Sequence, residues 1–211
     1  MRIISSLLLI FTLTGCQSAY YATMEQVGIH KRDIMTDRVE AASEAQEEAS
    51  EQFTSALEAL STLTQFDGGE LQTMYDTINE QYLDSEEAVE NVRDRIGAVE
   101  DVSDALFDEW RDELDLYTSA SLRRDSERKL KETERSYSQM LAAMKKAESK
   151  MTPVLNTLRD NTLYLKHNLN AAAIGSLKSE FAGLEREINR AIKDMKVAIA
   201  ESDRFLATLN R

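Results

Sequence analysis

The sequence predicts an all-α fold, an elongated antiparallel bundle of about four long coiled-coil-like helices, and three observations predict it. Between Leu71 and Tyr117 one pattern repeats without a break: Leu71, Tyr75, Ile78, Tyr82, Ser85, Val89, Val92, Ile96, Val99, Ser103, Leu106, Trp110, Tyr117. Steps alternating between four and three, closing on one of seven, keep one seam of an α-helix facing a partner over many turns. Three other stretches carry the same repeat, so each offers a seam that another must cover. Finally, seven Gly and a single Pro in 211 residues leave few places for turns, and no alternating run of β-branched and aromatic residues marks a strand.

In chain order, Arg2, the apolar run from Leu7 to Phe11 and the tetrad Leu13-Thr14-Gly15-Cys16 compose a charged start, a short apolar core and a small-residue cut site. Those are the parts of a secretory signal, residues 1–15, too short to span a bilayer as a permanent helix. The tetrad resembles the lipobox of bacterial lipoproteins. That resemblance implies acylation of Cys16, removal of the residues before it and a lipid anchor in a membrane. Cys16 is the only cysteine, so it has no disulfide partner within the chain, and two or more acyl chains anchor stably where one is reversible. Lipoproteins held at the inner membrane often carry Asp after the cysteine; Gln17 here points to the outer membrane and a chain facing the periplasm. Residues 16–20 are then a lipidated tether and 21–211 a single helical-bundle domain.

The first helix is expected to run to about Phe66 on Met24, Val27, Ile34, Val39, Ala42, Ala49, Phe53, Ala56, Leu60 and Leu63. Its alanines let neighbours approach closely but bury less apolar area per turn than leucine. Phe66-Asp67-Gly68-Gly69 ends it, because Gly takes the left-handed conformation without a Cβ penalty, and Glu70 opens the second helix at its positive end. That helix closes at Tyr117-Thr118-Ser119-Ala120-Ser121, where Ser119 or Ser121 serves as the next N-cap. The third helix carries Leu130, Thr133, Tyr137, Met140, Met144, Ala147, Met151, Val154, Leu158, Leu165 and Leu169. Pro153 either kinks it or starts a fresh helix after Thr152. A reversal within 167–176, using Asn168, Asn170 and Gly175, leads to a last helix on Leu177, Phe181, Leu184, Ile188, Met195, Ile199, Phe205 and Leu209. The alternative to four antiparallel helices is one rod continuing through 118–121, which needs another chain over its seam and hence a homo-oligomer.

The net charge of −13 is unevenly placed: residues 19–119 carry 26 acidic against 6 basic residues, and 120–211 carry 12 against 18. Acidic helices lying beside basic ones, with charges flanking each seam, is the expected consequence. A sharper reading makes Arg123, Arg124, Arg128, Lys129, Lys131 and Arg135 a basic face for anionic lipid or polymer. Nucleic acid is excluded as a partner, since so acidic a chain repels phosphate.

Chemistry is sparse. His30 and His167 fall near opposite ends of an antiparallel bundle, about 50 Å apart by helix rise, and share no metal. Neither follows a Glu by three residues, as the ligand pairs of di-iron bundles do, and the one cysteine is consumed by lipid. We expect no cofactor, no metal and no enzymatic activity. Two polar clusters remain. His30, Lys31 and Arg32 are candidate lipid headgroup contacts against a solvated helix face, and Lys166, His167, Asn168 and Asn170 are a candidate partner surface against a turn held by Asn side chains. Tyr75, Tyr82, Trp110 and Tyr117 read as core, which puts Trp110→Ala at about 3 to 5 kcal/mol.

Lys31-Arg32-Asp33-Ile34, Phe66-Asp67-Gly68-Gly69, Glu109-Trp110, Pro153-Val154-Leu155 and the run Leu163 to Ala171 resemble an uncharacterised bacterial lipoprotein family, domain of unknown function 2959. The resemblance covers nearly the whole mature chain and brings no activity or site residue with it. The function expected is a non-enzymatic envelope scaffold or tether, held to the membrane through acylated Cys16 and presenting a surface to an envelope protein partner. Its rival is a periplasmic module holding an apolar or anionic small ligand between helices, suggested by Met140, Met144 and Met151 on one adaptable stripe.

Overall fold

A computed structural model describes residues 15–65 and 71–210, which form five α-helices: α1 (Gly15–Gln26), α2 (Lys31–Thr64), α3 (Leu71–Glu113), α4 (Ala120–His167) and α5 (Ala171–Leu209). The four long ones span 34, 43, 48 and 39 residues, hence roughly 50 to 70 Å each. They close into a ring in which α2 lies beside α3 and α5, and α4 lies beside the same two. Cross-helix bonds fix the direction. Lys31 at the start of α2 meets Glu109 near the end of α3 at 2.9 Å; Arg93 and Arg111 of α3 meet Glu148 and Glu134 of α4 at 3.0 and 2.5 Å; and Lys146 and Thr157 of α4 meet Asp194 and Glu187 of α5 at 2.8 and 3.3 Å. Every neighbour around the ring is therefore antiparallel, and the break at residues 114–119 that separates α3 from α4 rules out the continuous rod.

The core is the sum of the four seams. Phe53, Met140, Met144, Met151, Ile188 and Phe205 are fully buried. The Tyr137 ring stands edge-on to Phe107 at 5.3 Å and to Phe205 at 6.1 Å, and its hydroxyl accepts a 2.6 Å bond from Ser103. Edge-to-face pairs of this kind add about 0.5 to 1.5 kcal/mol beyond the area they bury.

Several boundaries differ from expectation. The first helix is two, because Gly28 adopts φ +83°. Its amide donates to the Glu25 carbonyl at 3.0 Å and the Ile29 amide to the Met24 carbonyl at 3.0 Å, the paired bonds of a Schellman stop. Val27 is accordingly exposed and not part of a seam. The expected tether, 16–20, is helical as the first part of α1. The second long helix stops at Glu113, and a 3-10 turn (Leu114–Leu116) and an extended Tyr117 carry the chain to Ser119, whose hydroxyl accepts the Leu122 amide at 3.4 Å. Pro153 lies inside an unbroken α4, so it removes one donor without starting a new helix. The reversal before α5 is only Asn168 to Asn170. Gly175 sits inside α5 and turns nothing. The expected Phe66 to Glu70 stop and start lies outside the described residues.

Charge is sorted only on one side of the ring. Arg93–Glu148, Arg111–Glu134 and Lys145–Glu100 stitch acidic α3 to basic α4. The other neighbour of α3 is α2, also acidic, and the polar contact between their middles is a neutral one, Gln52 to Gln81 at 3.2 Å.

Candidate functional site

The sequence-marked residues gather at the two ends of the rod. At the near end, α1 joins α2, the chain turns from α3 to α4, and α5 finishes. Lys31 is the pivot: its ammonium bonds Glu25 of α1 and, at 2.9 Å, Glu109 of α3, with only 12% of its side chain exposed. Burial alone would pull its pKa down, but the two carboxylates outweigh that and hold it above the ordinary lysine value. The Lys31 bond keeps Glu25 ionised below the usual carboxylate range, whereas burial pushes Glu109 above it. The ammonium expected at lipid headgroups is thus engaged in tying α1 to the bundle.

Beside it, His30 is the N-cap residue of α2, and its backbone amide donates to the Asp33 carboxylate at 3.2 Å, the return half of a capping box. Arg32 is exposed and lines a groove of about 540 Å³ with Trp110, Tyr117, Leu122, Lys129 and Leu209, so that all four long helices contribute to the walls or rim. Trp110 is half-buried there, its Nε1 donating to Ser126 at 2.8 Å. Trp110 and Tyr117 were expected in the core. Instead they stand where the seam of α3 runs out, and Val102 and Phe107 take buried places the repeat did not include. Cys16 falls in the first turn of α1.

At the far end, Lys166 and His167 close α4 as exposed basic residues in its last turn, where positive charge suits the helix dipole. Asn168 donates to the Tyr164 carbonyl at 2.9 Å, and the Asn170 side chain accepts the Ala172 and Ala173 amides at 3.0 and 3.1 Å as the N-cap of α5. Both asparagines hold the turn. What stands out beside them is apolar: Leu163, Tyr164 and Leu169 are exposed. Sequence reasoning named the basic residues of both ends and the amides of the far one, but it put Leu169 on the seam of the third helix, which ends before it at His167, and did not single out Leu163 or Tyr164 as surface. At the near end Leu116 and Leu122 fall outside the repeat, which was their only signal.

Among the described residues no three His, Cys, Asp or Glu could hold a metal ion, and no helix is long and apolar enough to cross a membrane. The fold and its ends define a closed antiparallel four-helix rod with a short docked helix at its entry and grooves open to solvent. Residues 20–209 match the family described as "Protein of unknown function (DUF2959)", and the chain belongs to that family. Neither the curated proteins nor the solved structures give a match.

Proposed function

We propose that this chain is a non-enzymatic lipoprotein of the bacterial envelope, anchored in the outer membrane through acylated Cys16, whose rod carries a partner-binding surface out into the periplasm. The observation that supports it is where exposed apolar side chains stand. Of the eleven exposed large hydrophobics among the described residues, Tyr20, Val27, Ile29, Leu116, Tyr117 and Leu122 lie at the near end, Leu163, Tyr164 and Leu169 at the far end, and Leu83 and Val197 on the flanks. Clustered exposed apolar residues rimmed by charge mark contact surfaces, and a rod with one at each end serves as a spacer between two of them. Anchor and far-end partner would then be separated by the length of the helices, roughly 50 to 70 Å.

The small-ligand alternative requires the helices to part, since Met140, Met144 and Met151 are all fully buried in the core. The test is the intact mass of the membrane-extracted protein together with fractionation of Cys16→Ser. A mature chain beginning at residue 16 with added acyl mass, and a variant lacking it that leaves the membrane fraction, is the expected result. A mature mass without acyl chains refutes the reading.

A further inference from the structure

We propose that the near end of the bundle is a second membrane contact, seated on the surface of the bilayer that holds the anchor, so that the rod stands at a set angle instead of swinging from its lipid. This rests on the acylation of Cys16 proposed above. The geometry behind it is the absence of slack. Tyr21 is 7% exposed and packs into the core cluster, five residues after Cys16, or about 7 to 8 Å of helix rise. Glu25 is tied through Lys31 to Glu109, and the Gly28 turn that follows is hydrogen-bonded at both positions. A lipid on residue 16 therefore brings the headgroup layer within one or two helical turns of the bundle end.

The side chains waiting there suit that layer. Leu116 is 78% exposed, Val27 69% and Leu122 59%, with Ile29 and Tyr117 beside them and Trp110 in the groove behind. Leucines that enter the acyl boundary with aromatic rings behind them are the pattern of membrane-interface segments. Charge agrees. Residues 111–129 carry five basic and five acidic side chains, neutral within a chain of net charge −13. Arg111–Asp108, Arg123–Asp115 and Arg128–Asp125 satisfy much of that charge internally. Arg124 and Lys129 form no ion pair among the described residues and can meet lipid phosphates, and the exposed Asp112 and Glu113, also unpaired there, balance their charge. The near end is thus a charge-balanced part of an acidic chain, which an anionic bilayer does not repel.

The experiment places a single tryptophan at either end: Leu116→Trp or Leu169→Trp, each with Trp110→Phe. Leu122→Trp is a second near-end reporter should position 116 disturb the turn. The acylated full chain is reconstituted into vesicles of phosphatidylethanolamine and phosphatidylglycerol, with plain or brominated acyl chains. Near-end emission should shift to the blue and fall by roughly two-fold or more with brominated lipid, while emission from position 169 stays unchanged. If acylated, vesicle-bound protein shows no quenching at 116 or 122, the second contact is wrong and the lipoprotein reading survives. If quenching is absent and the detergent-free mass doubles, the end is an interface between copies and the proposal is equally overturned. Should the intact mass show no acyl chain, the lipoprotein reading is what fails. The unacylated chain is then added to the same vesicles, where quenching at 116 upholds the contact and its absence overturns it.

Discussion

Replacing Gln46 by methionine should make this protein more stable. Gln46 lies in the middle of α2 with no exposed surface, and neither its amide nitrogen nor its amide oxygen finds a hydrogen-bond partner. The α2 to α3 register, set by Gln52 against Gln81 and Lys31 against Glu109, puts it level with the buried Val89 and Val92. A buried amide left unpaired costs about 1 to 3 kcal/mol, and methionine has nearly the same length and volume, so the exchange removes that cost without opening a cavity. For a chain of this size each kcal/mol moves Tm by roughly 2 to 4 °C, which gives a rise of about 2 to 12 °C. Thermal and urea denaturation of the two proteins, followed by far-UV circular dichroism, is the assay. An unchanged or lower Tm would show that the amide is paired in solution and refute the reasoning. Core amides of α2 and α3 exchange through global unfolding, so the more stable variant should also show stronger protection from hydrogen exchange there.

Lys31→Met leaves Glu25 and Glu109 facing each other without their cation, and should cost about 1 to 2 kcal/mol at neutral pH after allowing for the third of each carboxylate open to water. The signs differ by group. The raised Lys31 pKa means a contribution complete below the ordinary lysine value and lost as pH rises through the higher folded one. The lowered Glu25 pKa means a contribution lost as pH falls through that lower value, while Glu109, raised by burial, gains on protonation. Urea midpoints against pH should therefore converge between wild type and variant on acidification and at strongly alkaline pH, and a constant gap would contradict the assignment. Trp110→Ala should cost about 1 to 2 kcal/mol, because the ring is half-buried and loses one hydrogen bond to Ser126; a urea-derived loss of 4 or more would restore it to the core. Asn170→Ala removes the cap of α5 and should cost about 1 to 2 kcal/mol, with faster exchange at the Ala172 and Ala173 amides; exchange as slow as wild type would mean the cap is not held.

The middle of the fold was legible because helix geometry dictates it. On α3 the repeat correctly placed Ile78, Ser85, Val89, Val92, Ile96, Val99, Ser103 and Leu106 in the core. It failed toward the last turns, where the ring of helices ends and nothing remains to cover Tyr117, so periodicity alone overran the packing that gives it meaning. The Gly28 break was also written in the sequence, as a glycine followed two residues on by the His30 and Asp33 of a capping box. An apolar repeat that can be threaded straight through, from Met24 past Val27 to Ile34, hid it. The near-end cluster was not legible in the same way. Lys31 and Glu109 are 78 residues apart, and their meeting depends on the register of two long helices, which no local spacing reveals.

Charge taught the opposite lesson to periodicity. Opposite charge predicts that acidic helices seek basic neighbours, yet α3, with fourteen acidic and three basic residues, lies against acidic α2 as well as basic α4. Connectivity explains it: five residues separate Gln65 from Leu71, so α3 has to return beside α2 whatever their charges. Repulsion between exposed carboxylates on the two flanks is screened over about 10 Å in ordinary salt, whereas the Ala, Val and Phe side chains of the shared seam are wholly removed from water and each contributes in full. Burial therefore decides which helices touch, and charge only decorates the result. The decoration still has a consequence. With α2 and α3 adjacent, one side of the rod is acidic and resists lying flat on an anionic surface, while the opposite side, built from residues 120–211, carries 18 basic against 12 acidic residues. Apolar contact is left to the ends, where the exposed leucines and tyrosines cluster.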